Sequence, residues 1–150
     1  MITYRTATSA DLPSVTGLLS RFDLPTADLP PDLKYFVVAE NQGRVVGCVG
    51  IEVLGGHGLL RSLAVDLSVQ KQKVGDSLCR RIEEVAKASG VATLHLLTTT
   101  ASNYFQRRGF ASSDRSTSPA SISSTTEFKE LCPSTAVYMV RNLTSFDSEA

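Results

Sequence analysis

Residues 35–66 run as three apolar segments joined by two glycine-bearing turns, and this stretch limits the fold more than any other part of the chain. "YFVVAENQ" meets "GRVVGCVGIEVLGG" across Asn41-Gln42-Gly43, a hairpin signal between two strand-like runs. "GGHG" (55–58) turns the chain again into "LLRSLAVD" (59–66). Three consecutive antiparallel strands are expected. The period then changes. From Val74 to Ser89 the apolar positions Val74, Leu78, Ile82, Val85 and Ala86 share one helical face, and Gly90 supplies a C-cap. "VATLHLLTTT" (91–100) is nearly continuous in apolar character and reads as a buried central strand. A strand, a helix and another buried strand imply a right-handed crossover.

The flanks complete the pattern. "YRTAT" (4–8) reads as a first strand. "SADLPSVTGLLSRF" follows with Ser9 as N-cap and Leu12, Val15, Leu18, Leu19 and Phe22 on one helical face. Residues 23–33 form a proline-broken loop with room for a short helical turn. "ASNYFQRR" is a short helix closed by Gly109, "FASSDRS" (110–116) starts a strand, and "TAVYMVRNL" (135–143) alternates as the last one. Ten of the fifteen residues from 112 to 126 are Ser or Thr, so this stretch offers no clear apolar patch. Ser124 and Glu127 have capping-box spacing for a helical turn "TEFKEL" that ends at Pro133. The expected architecture is α/β (α+β): a mixed, mostly antiparallel sheet of about seven strands flanked by about four helices. One domain over 1–150, with 144–150 as a flexible tail, fits the length.

Charge and cysteine usage exclude several functions. Fifteen basic and fifteen acidic side chains cancel, and no long basic run offers a footprint for nucleic acid or an anionic membrane. The apolar run "VVGCVGIEVL" is too short and glycine-rich to cross a bilayer. "MITYRTATSADLP" has no apolar leader core. Cys48, Cys79 and Cys132 are isolated and odd in number, which predicts reduced thiols and a cytoplasmic setting. No spaced Cys or His pair suggests a metal.

The element order, the helix start after strand four and the "YFQRRGF" ending after strand five resemble the GNAT superfamily of acetyl-CoA-dependent N-acetyltransferases over nearly the whole chain. More narrowly, "GLLRSLAV", "LLTTTASNYFQRRGF" and "STTEFKELCPSTAVYM" are similar to the branch often encoded in arsenic-resistance operons. The resemblance implies that backbone groups of Leu63, Ala64 and Val65 position the acetyl group. It also implies that the turn Gln70, Lys71, Gln72, Lys73, Val74, Gly75, Asp76, Ser77 binds the pyrophosphate of the cosubstrate. In the family this turn reads Gln/Arg-x-x-Gly-x-Gly/Ala. Gln70 and Gly75 match, Lys73 stands where the middle glycine belongs, and Lys71 stands where a glycine is frequent. A helix start suits the role, because its N–H groups and dipole favour an anion. Lysine is compatible with it if the backbone stays helical, and adds a charge contact to phosphate. Solvated surface lysines are the plainer alternative.

The family's general acid, a tyrosine four residues before Gly-Phe, is Phe105 here, with Tyr104 one position off. Adjacent helical residues point about 100° apart, so Tyr104 does not simply replace it; Tyr104 is either a displaced candidate for the acid or packing of a short helix. Phe105 reads as packing beside the cosubstrate. A family asparagine seven residues earlier is Thr98, which retains a hydrogen-bonding group.

On the acceptor side, an alkylamine must lose a proton before it attacks a thioester. Glu52, a charge within the apolar "GIEVLGG", is the candidate base, or else faces solvent on an alternating strand. Arg61 interrupts "LLRSLAV" and either pairs with Glu52 or binds an anionic group of the acceptor. Arg115, Glu127 and Cys132 lie in the late segment that walls the acceptor cleft in this fold. Cys132 is either an inert thiol or a contact for a thiophilic arsenical. Cys48 and Cys79 read as core, His95 as packed, and His57 as an exposed turn histidine or a proton shuttle.

The resemblance thus implies acetyl transfer to the primary amine of a small molecule, arsenic-related or amino-acid-like, with no metal. It also leaves open a homodimer through the last strands. The alternative is a non-catalytic acyl-CoA or metalloid-responsive binding module on the same fold.

Overall fold

The computed structural model describes residues 1–131 and 135–143. Seven strands form one sheet in the order β1-β2-β3-β4-β5-β7-β6. They are β1 (Ile2–Thr6), β2 (Phe36–Asn41), β3 (Arg44–Leu54), β4 (His57–Val65), β5 (Thr93–Thr98), β6 (Ala111–Ser113) and β7 (Val137–Asn142). The described α-helices are α1 (Leu12–Arg21), α2 (Val74–Ala88), α3 (Ser102–Arg107) and α4 (Ala120–Ser123). The fold divides into two compact units, Met1–Ile51 with Arg61–Val85, and Glu52–Leu60 with Ala86–Ala150.

In the first unit β1 pairs antiparallel with β2, and β2 with β3. The predicted hairpin is present. Gln42 and Gly43 have φ of 53° and 78°, the two left-handed residues that a tight strand connection with matching twist requires. Val38 and Cys48 face a core built with Val15, Leu18 and Leu19 of α1 together with Leu33 and Phe36. A Cβ on Gly47 would lie 3.0 Å from Leu78 and 3.2 Å from Val74, so the bare glycine lets α2 seat closely. Gly50 makes similar room, since a Cβ there would lie 2.5 Å from the Phe36 ring. The buried Cys48 Sγ donates to the Ser62 carbonyl at 3.3 Å, and burial pushes its pKa up to about 12.

Several boundaries differ from the sequence expectation. β1 covers Ile2–Thr6 rather than 4–8, and Thr8 turns its N–H away to the Asp11 carboxylate. Ser9 is not the N-cap of α1. A 3-10 turn over Ser9–Asp11 precedes the helix, and the Asp11 carboxylate accepts the Thr8 N–H at 2.8 Å. Two hydrogen bonds from Arg5 hold the Asp11 carboxyl below the usual carboxylate range.

In the second unit β4 and β5 are parallel through His57↔Thr93, Gly58↔Leu94 and Leu59↔His95, so α2 lies in the expected crossover. β7 pairs antiparallel with both β5 and β6. Gly90, with φ +85°, closes α2, and Val91 N–H returns to the Ala86 carbonyl at 2.9 Å. The core of this unit is Leu59, Ile122, Phe128 and Tyr138. β6 is shorter than the predicted 110–116. Asp114 accepts the Ser116 N–H at 2.9 Å and bends the chain into a 3-10 turn over Arg115–Thr117. Glu127–Leu131 forms one wide π-type turn. Thr125, not Ser124, caps it, accepting the Phe128 N–H at 3.2 Å. The expected stop at Pro133 and the tail 144–150 lie outside the described residues.

Candidate functional site

Arg61–Val85, which runs from within β4 into α2, lies in the first unit. Leu63 and Val65 are half-buried and Ala64 is buried. After β4, the Asp66 carboxylate accepts both the N–H and the hydroxyl of Ser68 at 2.9 Å. These bonds depress its pKa and start a 3-10 turn over Leu67–Gln72. Gln70 is exposed, and its Nε2 donates to the Val65 carbonyl at 3.0 Å, bracing the turn against the strand.

Lys73 ends the turn with φ 58° and ψ 33°. The condition that the lysine backbone stays helical is therefore not met at this position. The chain needs a left-handed residue here, which explains the family glycine by backbone geometry. Lys71, Gln72 and Lys73 are exposed, while Gly75, Asp76 and Ser77 are half-buried. The first intrahelical bond of α2 runs from Ser77 N–H to the Lys73 carbonyl at 3.2 Å. The N–H groups of Val74, Gly75 and Asp76 precede it and form the helix's N-terminal donor set. Two exposed lysines, Lys71 and Lys73, precede this donor set in the chain, an arrangement that suits phosphate.

Arg61 has a partner that sequence reasoning missed. Its side chain is 1% exposed, and Nη1 and Nη2 donate to the two carboxylate oxygens of Asp28, each at 2.6 Å. Asp28 comes from the loop 23–33, where no sequence pattern marks it. Arg61 Nε also donates to Ser62 Oγ at 3.0 Å. Ser62 itself is left-handed, with φ 61°, within β4.

The other candidates lie in the second unit. Glu52 is half-buried on β3. Thr98 Oγ1 accepts the Ala101 N–H at 3.0 Å, so this hydroxyl organises the entry to α3. Phe105 is buried between Tyr104 and Phe110, with ring centroids 5.2 Å and 5.6 Å away and edge-to-face geometry. Tyr104, on the neighbouring helical position, is half-buried. The Arg115 guanidinium lies 5.2 Å over the Phe128 ring, and Glu127, the residue before Phe128 in sequence, is buried. Cys132 lies outside the described residues.

The two histidines are not isolated. His57 Nδ1 lies 2.9 Å from His95 Nε2, and His95 Nδ1 lies 2.7 Å from the Tyr138 hydroxyl. His57 is thus a half-buried member of a hydrogen-bonded chain, not an exposed turn residue. Among the described residues no group of three or more His, Cys, Asp and Glu could hold a metal ion, and no helix is long and apolar enough to cross a membrane.

Residues 32–112, more than half of the chain, match the family model described as an acetyltransferase (GNAT) domain. An amino-acid acetyltransferase of Pseudomonas fluorescens is 36% identical over 87 residues, 57% of this chain and 20% of that protein. One from Pseudomonas aeruginosa is 32% identical over 103 residues, 67% of this chain and 24% of that protein. The chain therefore spans about a quarter or less of the length of these relatives. Their names point to amino-acid acetyltransferases rather than to the arsenic-resistance branch. Among solved structures, N-acetylglutamate synthase from Neisseria gonorrhoeae complexed with coenzyme A and N-acetyl-glutamate superposes with a TM-score of 0.82. It is 22% identical, with 95% of this chain and 35% of that one covered. A Mycobacterium tuberculosis protein in complex with CoA gives 0.79 at 24% identity, covering 94% and 99% of the two chains. The seven-stranded mixed sheet is the GNAT fold, and the chain belongs to the GNAT acetyltransferase domain family.

Proposed function

We propose that this chain is a single acetyl-CoA-dependent N-acetyltransferase domain that acetylates the primary amine of a small, amino-acid-like molecule. The observation that carries this reading is the β4–turn–α2 segment, where a helix N-terminal donor set and two exposed lysines follow directly on the strand. The names of the Pseudomonas relatives support the acceptor class.

Acetyl-CoA supplies the activated thioester. The N–H groups at the start of α2, with Lys71 and Lys73, hold its pyrophosphate. Gln70 supports them indirectly by bracing the turn. Backbone groups of Leu63 and Val65 orient the acetyl group and polarise its carbonyl. Glu52 takes the proton of the acceptor ammonium, directly or through water, and the free amine attacks in a ternary complex. Tyr104 is the nearest group in sequence able to protonate the departing thiolate, since Phe105 has no proton to give. A thiolate leaves well enough that this help is not essential. Arg61, Arg115 and Glu127 contact the acceptor. Cys132 remains the contact for an arsenical acceptor, the narrower alternative. The buried thiols Cys48 and Cys79 fit a reducing, cytoplasmic setting.

Calorimetry with acetyl-CoA, followed by thiol release on a panel of amino acids and an organoarsenical amine, tests the proposal. Coenzyme binding with turnover on amino acids is expected. No binding at millimolar coenzyme sinks it. Binding without turnover favours a non-catalytic acyl-CoA module, the reading that the buried Phe105 at the usual acid position supports.

A further inference from the structure

Arg61 is a desolvated cation whose fork is filled by Asp28, a residue of an irregular loop. Its side chain is 1% exposed, whereas that of Asp28 is 14% exposed. Asp28 is therefore the more solvent-accessible half of the pair. It belongs to no strand or helix. It sits in a turn where Leu29 N–H bonds the Thr26 carbonyl at 3.3 Å. Leu24, Leu29 and Leu33 pin the rest of that loop against the α1 core. A side-chain rotation of Asp28 would thus release its two hydrogen bonds to Arg61 and leave the loop anchored. Meanwhile the guanidinium is held in place from behind by Nε to Ser62 Oγ at 3.0 Å. The Ser62 carbonyl in turn accepts from Cys48.

A buried guanidinium stays charged and demands a carboxylate in bidentate geometry. Asp28 offers the same carboxylate chemistry that every amino acid carries. We infer that Asp28 is a built-in occupant of an acceptor-carboxylate site on Arg61. The carboxylate of an incoming amino acid exchanges with it, taking over both 2.6 Å hydrogen bonds. The exchange makes and breaks no covalent bond. It makes Asp28 a specificity residue: an amine without a carboxylate cannot displace it and leaves the site closed. This inference rests on the acetyltransferase reading for its purpose, but not for its chemistry.

The test is binding of acetate, the simplest carboxylate, to the full chain, with acetamide and chloride at matched ionic strength as controls. Asp28→Asn removes the internal competitor at nearly constant shape. It is expected to bind acetate at least tenfold more tightly than wild type by calorimetry, with a saturable rise in melting temperature. Asp28→Asn combined with Arg61→Met is expected to lose that binding. Asp28→Ala serves as the second variant, and recovery of its fold by acetate alone also supports the exchange. Equal acetate affinity in wild type and Asp28→Asn overturns it. So does equal stabilisation by chloride, or failure of both single variants to fold at any acetate concentration, since the pair is then structural only. On the enzyme, the KM for L-glutamate relative to butylamine is expected to fall in Asp28→Asn. An unchanged ratio overturns the exchange while leaving acetyl transfer intact. Absence of any turnover with a positive acetate result sinks the acetyltransferase reading instead.

Discussion

The His95 ring stacks on Tyr138 at an interplanar angle of 10°, and its Nδ1 reaches the Tyr138 hydroxyl at 2.7 Å. On its other edge it meets His57. The three groups form a continuous polar chain across β4, β5 and β7. Burial, then the charge of His57, lowers the His95 pKa to about 4. His95 is therefore neutral in the folded protein at neutral pH.

Acid stability follows from that neutrality. A histidine whose folded pKa is depressed binds its proton more readily in the unfolded chain. Its stabilising contribution is complete above the unfolded value of about 6.5 and is lost as pH falls toward 4. The full contribution is about 3 kcal/mol. Unfolding free energy measured by denaturant titration should rise from pH 4 to 6.5. His95→Leu should flatten that slope, even though it lowers stability at pH 7 by leaving the Tyr138 hydroxyl without this partner. An unchanged slope would show that another group titrates.

Lys73→Gly is expected to stabilise the fold. Lysine at φ 58° carries a steric cost that glycine does not, of about 1 kcal/mol. The melting temperature should rise by about 2–4 °C. Calorimetry with coenzyme A separates the lysine's two roles, because a loss of affinity alongside higher stability means that its charge meets the phosphate.

Gly50→Ala is expected to destabilise by about 1–3 kcal/mol, since its new methyl would meet the fully buried Phe36 ring at 2.5 Å. Phe36→Leu in the same chain should recover part of the loss. A double-mutant cycle from chemical denaturation measures the coupling, and simple additivity would refute the steric account.

Glu52→Gln should lower the acetylation rate by about 10²-fold near neutral pH and leave coenzyme affinity unchanged. Rate profiles from pH 6 to 9 decide the matter. A variant that matches wild type throughout removes Glu52 as the base.

Local pattern made most of the fold legible. The Gln42–Gly43 hairpin, the α2 stripe and the glycines that end α2 and α3 each rest on residues close in sequence, and each lies where expected. Features that depend on dihedral angle or on distant partners were hidden. Lysine at 73 looks like a surface charge until its left-handed backbone is known. Asp28 and Arg61 are 33 residues apart across an irregular loop, with no periodicity to join them. His57 and His95 are separated by 38 residues and meet because β4 and β5 are parallel neighbours. The same limit applies to the site. The proposed phosphate turn is one contiguous segment and could be read directly, whereas the proposed acceptor contacts are spread over several elements.

The buried thiols carry a practical consequence. Cys48 is held in the core with its pKa pushed up to about 12, and Cys79 is also buried. Neither sulfur offers an accessible thiolate to a chromogenic disulfide reagent while the chain is folded. A colour reaction that counts released thiol in a test of the proposed activity therefore gains no background from these two residues. The same reagent, added during denaturation, gains colour as Cys48 and Cys79 become exposed.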